Sequence, residues 1–219
     1  RGSMMFEKYD AYKDSGVEAL GKIPNDWEVL RFRDICEFGK GLNITKENLE
    51  DVGIPCVNYG EVHSKYGFEV NPEIHQLKCV SENYLKSSPK SLLRYGDFVY
   101  ADTSEDIDGS GNFTYLNSHQ ITFAGYHTVI VRPKNNINVR FLAYVFDSLS
   151  FRNQIRKAVK GVKVYSITKS ILKDTNIWLP DFNGQYEISQ FLDKKTSEID
   201  QAIAIKEQQI ALLNERKQI

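Results

Sequence analysis

Four acidic side chains, Asp102, Glu105, Asp106 and Asp108, crowd one short stretch, and carboxylates at that density could hold a divalent cation. They follow no calcium-loop register and open no helix, so a solvated acidic loop is the preferred reading. The histidines His63, His75, His119 and His127 are scattered without metal-ligand spacing. Cys36, Cys56 and Cys79 lie 20 and 23 residues apart, form no CxxC pair, and read as reduced cytoplasmic thiols. No metal site is expected. No phosphate-cradling glycine loop is evident either: Gly109-Ser110-Gly111-Asn112 is too short and opens no helix. A Gly-x-Ser-x-Gly elbow is absent. Asn71-Pro72-Glu73 lacks the second proline and the aromatic of an adenine methyltransferase site. These residues point to a binding part without a cofactor of its own, and away from an enzyme.

Charge is placed rather than spread. The chain of 219 residues has net charge −1 and ordinary hydrophobic content, 41%, which suits one good-sized domain plus an appendage. Residues 152–173 carry Arg152, Arg156, Lys157, Lys160, Lys163, Lys169 and Lys173 and no acid, so the rest of the chain stands at −8. Local positive charge of this kind tracks a phosphate backbone. Gly161-Val162-Lys163-Val164-Tyr165-Ser166 adds a tight turn, an amine, an aromatic ring and a hydroxyl, a set suited to phosphate contact. A solvated helix face remains the plain alternative for a charge run. No apolar run is long enough to cross a membrane and no signal peptide or anchor motif is seen, so a cytoplasmic protein is expected. Arg1-Gly2-Ser3 reads as a tag remnant.

The elements that must position these groups read as mixed α/β. Trp27 is a core anchor. Residues 30–37 form a strand or short helix, and residues 54–60 a buried strand ending in a turn at Asn58 and Tyr59. A short helix is expected over 80–85. A turn then leads into a strand over 92–101, and an exposed loop covers 102–112. Strands follow over 113–116, 121–124 and 125–133, then one helix over 138–151 and a last strand over 172–179. Pro180 then marks the start of a long helix. Beyond Gly184 there is no proline or further glycine, and the run would reach about 50 Å. Leu192, Ile199 and Leu213 share one heptad position, with Lys206 between them. Ile203 and Ile210 share the other, flanked by Thr196 and Lys217. That a/d pattern favours helices packed along their length over a helix folded back on its own domain. The two seam lysines weaken it.

Several stretches resemble one family, the specificity subunits of type I restriction-modification systems. Residues 14–29, from Asp14-Ser15-Gly16 to Trp27-Glu28-Val29, look like its opening signature. Gly96-Asp97-Phe98 followed by Asp102-Thr103-Ser104-Glu105-Asp106-Ile107 is similar to a strand-and-loop motif of its target recognition domains, and Gly125-Tyr126-His127-Thr128 to another. Residues 163–168, Ile177-Trp178-Leu179-Pro180 and residues 188–200 resemble the join to its conserved helix. The resemblance implies a mixed α+β target recognition domain over 4–180 and a coiled-coil spacer or dimerisation helix over 181–219. It implies a non-catalytic subunit that reads one half of a split double-stranded DNA target. It also implies docking of methyltransferase and restriction subunits, with S-adenosylmethionine and ATP confined to those partners. A full subunit has two domains and two helices, whereas this chain stops after one of each. Two copies are therefore expected to pair through Leu192, Ile199, Ile203, Ile210 and Leu213 into an antiparallel homodimer. The alternative is a scaffold or decoy half-subunit that dimerises and docks methyltransferase without competent DNA recognition. For phosphate contact the candidates are Lys160, Lys163, Tyr165 and Ser166, then Lys40 and Lys46. For base reading they are Asn58, Tyr59, Thr103 and Ser104. Asn58 is suited to a bidentate bond with adenine, and a strand-end turn is its competing role.

Overall fold

A computed structural model describes residues 9–134, 136–161 and 163–216. The expected tag at 1–3, Val162 of the glycine turn and Lys217 of the seam lie outside the described residues. The folding centre is a five-stranded sheet in the order Cys36–Phe38, Thr128–Pro133, Phe98–Ala101, Phe113–Leu116, Phe68–Val70. Alternate residues of a strand face opposite sides, and here both sides are covered. Phe98, Tyr100, Phe113, Tyr115, Val129 and Val131 enter one core, while Val99, Ala101, Leu116 and Ile130 enter another. This double burial explains why residues 98–101 read as an unbroken apolar run.

Helices cover the first face. α1 (Phe32–Ile35) follows a strand, Glu28–Arg31, and precedes another, Cys36–Phe38, so both earlier readings of residues 30–37 are realised in succession. α2 (Tyr59–Ser64) and α3 (Tyr84–Ser87) flank a second, four-stranded sheet ordered Cys79–Val80, Ile54–Val57, Thr122–Ala124, Leu92–Leu93. Val80, expected to begin the helix over 80–85, thus lies in the strand Cys79–Val80, and α3 begins only at Tyr84. The expected helix over 138–151 is two helices, α4 (Val139–Asp147) and α5 (Leu149–Ala158). Ser148 divides them, extended at φ −64 and ψ 145, with its hydroxyl oxygen accepting from Phe151 N–H. Serine competes with the helix for backbone bonds and favours caps. The break lets Phe146 and Phe151, with centroids 4.8 Å apart, both reach Phe32. α6 (Lys169–Asp174) replaces the start of the expected last strand, which spans only Asn176–Leu179.

That outgoing strand pairs antiparallel with the incoming strand Glu28–Arg31, Trp178 opposite Val29. α7 (Phe182–Arg216) then begins, with Asp181 Oδ1 accepting from Gly184 N–H at 2.8 Å, an end fixed by a capping carboxylate. Its first turns pack on the domain. Gln185 Oε1 accepts from Asn138 N–H at 2.9 Å, and Gln185 Nε2 donates to Pro180 O at 3.0 Å. Arg140 of α4 joins three elements by donating to Asp193 of α7 at 2.7 Å, to Tyr115 Oη at 2.9 Å and to the Glu69 carboxylate. Burial works against the Arg140 charge, yet bonds to Asp193 and Tyr115 leave it held more firmly protonated than usual. From Lys194 to Arg216 every residue is exposed. The architecture is the expected mixed α/β domain followed by a long C-terminal helix. A short hairpin pairs Tyr12–Asp14 with Lys22–Pro24.

Cys36, Cys56 and Cys79 are free and buried, and burial pushes the thiols of Cys36 and Cys56 well above their usual range. Asp97 of the Gly96-Asp97-Phe98 motif is 1% exposed and structural. It accepts from Arg132 Nε at 2.9 Å, Arg132 Nη2 at 2.6 Å and Arg94 N–H at 2.8 Å.

Candidate nucleic-acid interface

Two segments more than sixty residues apart in sequence meet in one short ladder. Thr103–Ser104 pairs antiparallel with Tyr165–Ser166, Thr103 opposite Ser166 and Ser104 opposite Tyr165. Four of the candidate residues therefore form one ladder, two of them, Thr103 and Ser104, within the expected exposed loop over 102–112. Buried Ile167 anchors it, donating its N–H to Asp102 O at 2.8 Å. Asp102 is tied in turn to the Thr128–Pro133 strand region, since its N–H donates to His127 O at 3.0 Å and its Oδ1 lies 3.1 Å from His127 Nδ1. His127 has φ 53, a left-handed conformation uncommon outside glycine. Ser166 is exposed, and Thr103 and Tyr165 are half-buried. Ser104 is only 3% exposed. This corrects its assignment as a base reader, because its hydroxyl packs beneath Gly109, where an added Cβ would meet it at 2.5 Å.

Asn58 also needs correction. It is 1% exposed and stands immediately before α2, where the sequence had suggested a simple turn. Its Nδ2 donates to Cys56 O at 3.2 Å, and its N–H donates to Glu61 Oε2 at 3.1 Å. A side chain at position 125 would strike it, since a Cβ there would lie 1.8 Å from Asn58 Oδ1. Gly125 of the Gly125-Tyr126-His127-Thr128 motif is thus required by this inward amide. Tyr59, the next residue, stays half-buried at the surface and meets His63 edge-on at 5.1 Å and His127 at 6.3 Å.

Tyr59 and Tyr126 also line a groove of about 580 Å³ with Lys46, Lys65 and Lys78, so Lys46 joins Tyr59. Lys65 and Lys78 were not singled out in the sequence. Lys65 lies 4.0 Å from Glu61, and Lys78 pairs with Asp51. Lys40 is exposed in the turn after the Cys36–Phe38 strand, its carbonyl accepting from Ser91 at 3.0 Å.

The basic segment divides. Arg152 pairs with Asp147 at 2.8 Å, Arg156 with Asp108 at 3.6 Å and Lys157 with Glu18 at 2.9 Å. Lys173 stands over the Phe38 ring at 5.6 Å. Lys160, Lys163, Lys169 and Lys173 make no ion pair among the described residues, and Lys160 and Lys163 are exposed just before the Tyr165–Ser166 strand. The acidic loop divides similarly: Asp102 faces His127, Asp106 accepts from Gly109 N–H, and Asp108 takes Arg156. Among the described residues no group of three or more His, Cys, Asp or Glu could hold a metal ion.

On α7 the expected seam splits at the domain edge. Leu192 is half-buried, whereas Ile199, Ile203, Ile210 and Leu213 are 51–58% exposed. Ile205 and Leu212, seven residues apart, are exposed as well and broaden the apolar stripe. Their heptad spacing was visible in the sequence, beside the a/d positions that drew the first reading.

A mixed α/β domain that carries a short polar ladder and is followed by a long C-terminal helix defines the class. The family described as type I restriction modification DNA specificity domain matches residues 24–215, and the chain belongs to it. It is 24% identical over 198 residues to the type I restriction enzyme MjaVIII specificity subunit of Methanocaldococcus jannaschii, covering 89% of this chain and 44% of that protein. It is 25% identical over 194 residues to the EcoKI specificity subunit of Escherichia coli K12, covering 87% and 40%. The chain thus spans less than half the length of these relatives. Among solved structures, the HsdS subunit from Thermoanaerobacter tengcongensis superposes with TM-score 0.60 at 16% identity, covering 86% of this chain and 41% of that one. A chain from work on complex assembly and conformational transition of the type I R-M system gives 0.62 at 17%, covering 86% and 42%. At those identities the likeness is one of fold. No helix among the described residues is long and apolar enough to cross a membrane.

Proposed function

We propose that this chain is a non-catalytic specificity module that reads one half of a bipartite double-stranded DNA target. It docks the adenine methyltransferase, and through it the restriction subunits, of a type I restriction-modification complex. The observation that carries this reading is family membership across residues 24–215. S-adenosylmethionine and ATP belong to the partner subunits. Residues 4–180 are the recognition unit and residues 181–219 the spacer. Two copies pair antiparallel through Leu192, Ile199, Ile203, Ile210 and Leu213, supported by an apolar stripe that lies open to solvent.

Thr103 and Tyr59 face the bases, and Lys160, Lys163, Tyr165 and Ser166, then Lys46 and Lys40, contact phosphate. Replacing Lys160 and Lys163 with alanine lowers affinity similarly for every sequence and flattens its salt dependence by about two phosphate contacts. Unchanged affinity in a gel shift removes both from the interface. The decisive experiment is methylome sequencing of cells expressing the chain with its methyltransferase subunit. Adenine methylation at a split, two-fold symmetric motif is the expected result. No new methylation, with methyltransferase still bound, would instead fit a docking scaffold without DNA recognition.

A further inference from the structure

His63 has no role in the reading just given, yet its hydrogen bonds form a chain whose direction is fixed. Arg152 has only N–H groups and cannot accept. It donates from Nη1 to Asn112 Oδ1 at 2.8 Å and from Nη2 to Asp147 Oδ1 at 2.8 Å. With its oxygen so engaged, Asn112 turns its amide nitrogen to His63 Nδ1 at 2.9 Å. An amide nitrogen can only donate, so Nδ1 must be the bare, accepting nitrogen. The ring proton then belongs on Nε2, which lies 2.8 Å from Thr103 O and donates to it. The relay runs from α4 and α5 through the residue before the Phe113–Leu116 strand and through α2. It ends on the outer strand that carries Thr103.

That outer ladder holds only two residue pairs, and isolated two-stranded pairings are marginal in water. Its position must come from its surroundings, and the described hydrogen bonds that tie it to the domain include those of His63 to Thr103 O and of Asp102 to His127, while Ile167 N–H joins its two strands at Asp102 O. We propose that neutral His63, protonated on Nε2, is the positioning residue for the Thr103 reading edge, and that a second proton on the ring releases that edge. The added Nδ1–H would face the amide hydrogens of Asn112. Asn112 cannot turn over, because its nitrogen would then face Arg152. The charged and titratable groups around the ring are Tyr59 on its own helix, Glu105 and Asp106 across a cleft of about 210 Å³, and Arg152 behind Asn112. The Asp102–His127 pair lies on the far side of Tyr59. Histidine is the side chain that ordinarily changes charge between about pH 5 and 8.

The geometric half of the proposal is independent of DNA, and the functional half rests on the proposed DNA reading. Nitrogen-resolved imidazole spectra of the full chain at about pH 8 should show His63 neutral and protonated on Nε2. An Nδ1-protonated ring overturns the relay. Hydrogen-exchange protection of the Ile167 amide should fall about fivefold in His63→Ala, and similarly in the unsubstituted chain at about pH 5.5. His63→Gln, whose amide still donates and does not titrate, should keep its protection at both pH values. Unaltered protection in His63→Ala overturns the positioning role. Discrimination between the methylome-derived motif and random duplex should follow the same pattern, falling about fivefold on acidification in the unsubstituted chain and staying level in His63→Gln. A ratio of affinities cancels the general gain of positive charge at low pH. If the chain discriminates at neither pH while ring and exchange behave as described, the relay stands and its service to DNA reading falls.

Discussion

One helix has two regions whose surroundings invert their chemistry. In the root of α7, residues 182–193, the buried side chains are polar: Gln185 is 4% and Ser189 0% exposed. In the shaft, residues 194–216, the large apolar side chains Ile199, Ile203, Ile205, Ile210, Leu212 and Leu213 are all 51–60% exposed. The root is held by directional bonds, to Asn138, Pro180 and Arg140. These fix an angle as well as a contact, because a hydrogen bond weakens steeply when misaligned. Apolar contact is non-directional, and the shaft presents it where no other part of the described chain covers it. The root and the shaft thus present different forces.

Phe146→Ala tests the floor beneath the root. Phe146 is fully buried among Phe32, Phe98, Tyr100, Phe113 and Phe151, and its loss should cost about 3–5 kcal/mol in denaturant unfolding while α7 keeps its helical signal. Arg140→Ala should cost about 2 kcal/mol, less than for a fully buried pair, since both sides remain about a third exposed. It should also raise exchange in residues 182–193 selectively, and a uniform rise along α7 would contradict the separate anchoring of root and shaft. Alkaline pH offers a graded version. Burial foremost pushes the Tyr115 hydroxyl well above an ordinary phenol. The folded chain therefore holds this proton more tightly than the unfolded chain does. The resulting stability is complete below about pH 10 and is lost above it, at up to about 1.4 kcal/mol per pH unit. Tyr115→Phe should flatten that slope. Ile203→Ser with Ile210→Ser should change unfolding of the domain by less than about 0.5 kcal/mol, yet shift the chain to monomer in light scattering. A dimer that persists in this double variant removes the seam from the interface.

What could be read from the sequence follows the range of each interaction. The shaft announces itself through heptad spacing and the absence of proline, both local signals. The central strands do so through apolar runs. The Thr103–Ser166 ladder does not, because two-residue strands carry no periodicity and their pairing spans more than sixty residues. Asn58 misled because an asparagine beside a tyrosine at a strand end fits a surface turn, and only the absent side chain of Gly125 gives its amide an inward site. Ser148 was absorbed into a helix because Phe146 and Phe151 both continue the apolar face, although they reach it from separate helices. The charge of residues 152–173 was visible, but not its partial neutralisation by Asp147, Asp108 and Glu18, two of them distant in sequence.

The bonds that seat Asp193 against Arg140 and Tyr144 lie near one end of a rod about 50 Å long. A rod multiplies angular error. From that seat to Arg216 the helix runs about 35 Å, so a tilt of about 5° there moves the far tip roughly 3 Å, comparable to the rise of about one base pair. The position of the far tip is therefore set by the few bonds at the root that hold Gln185 and Asp193.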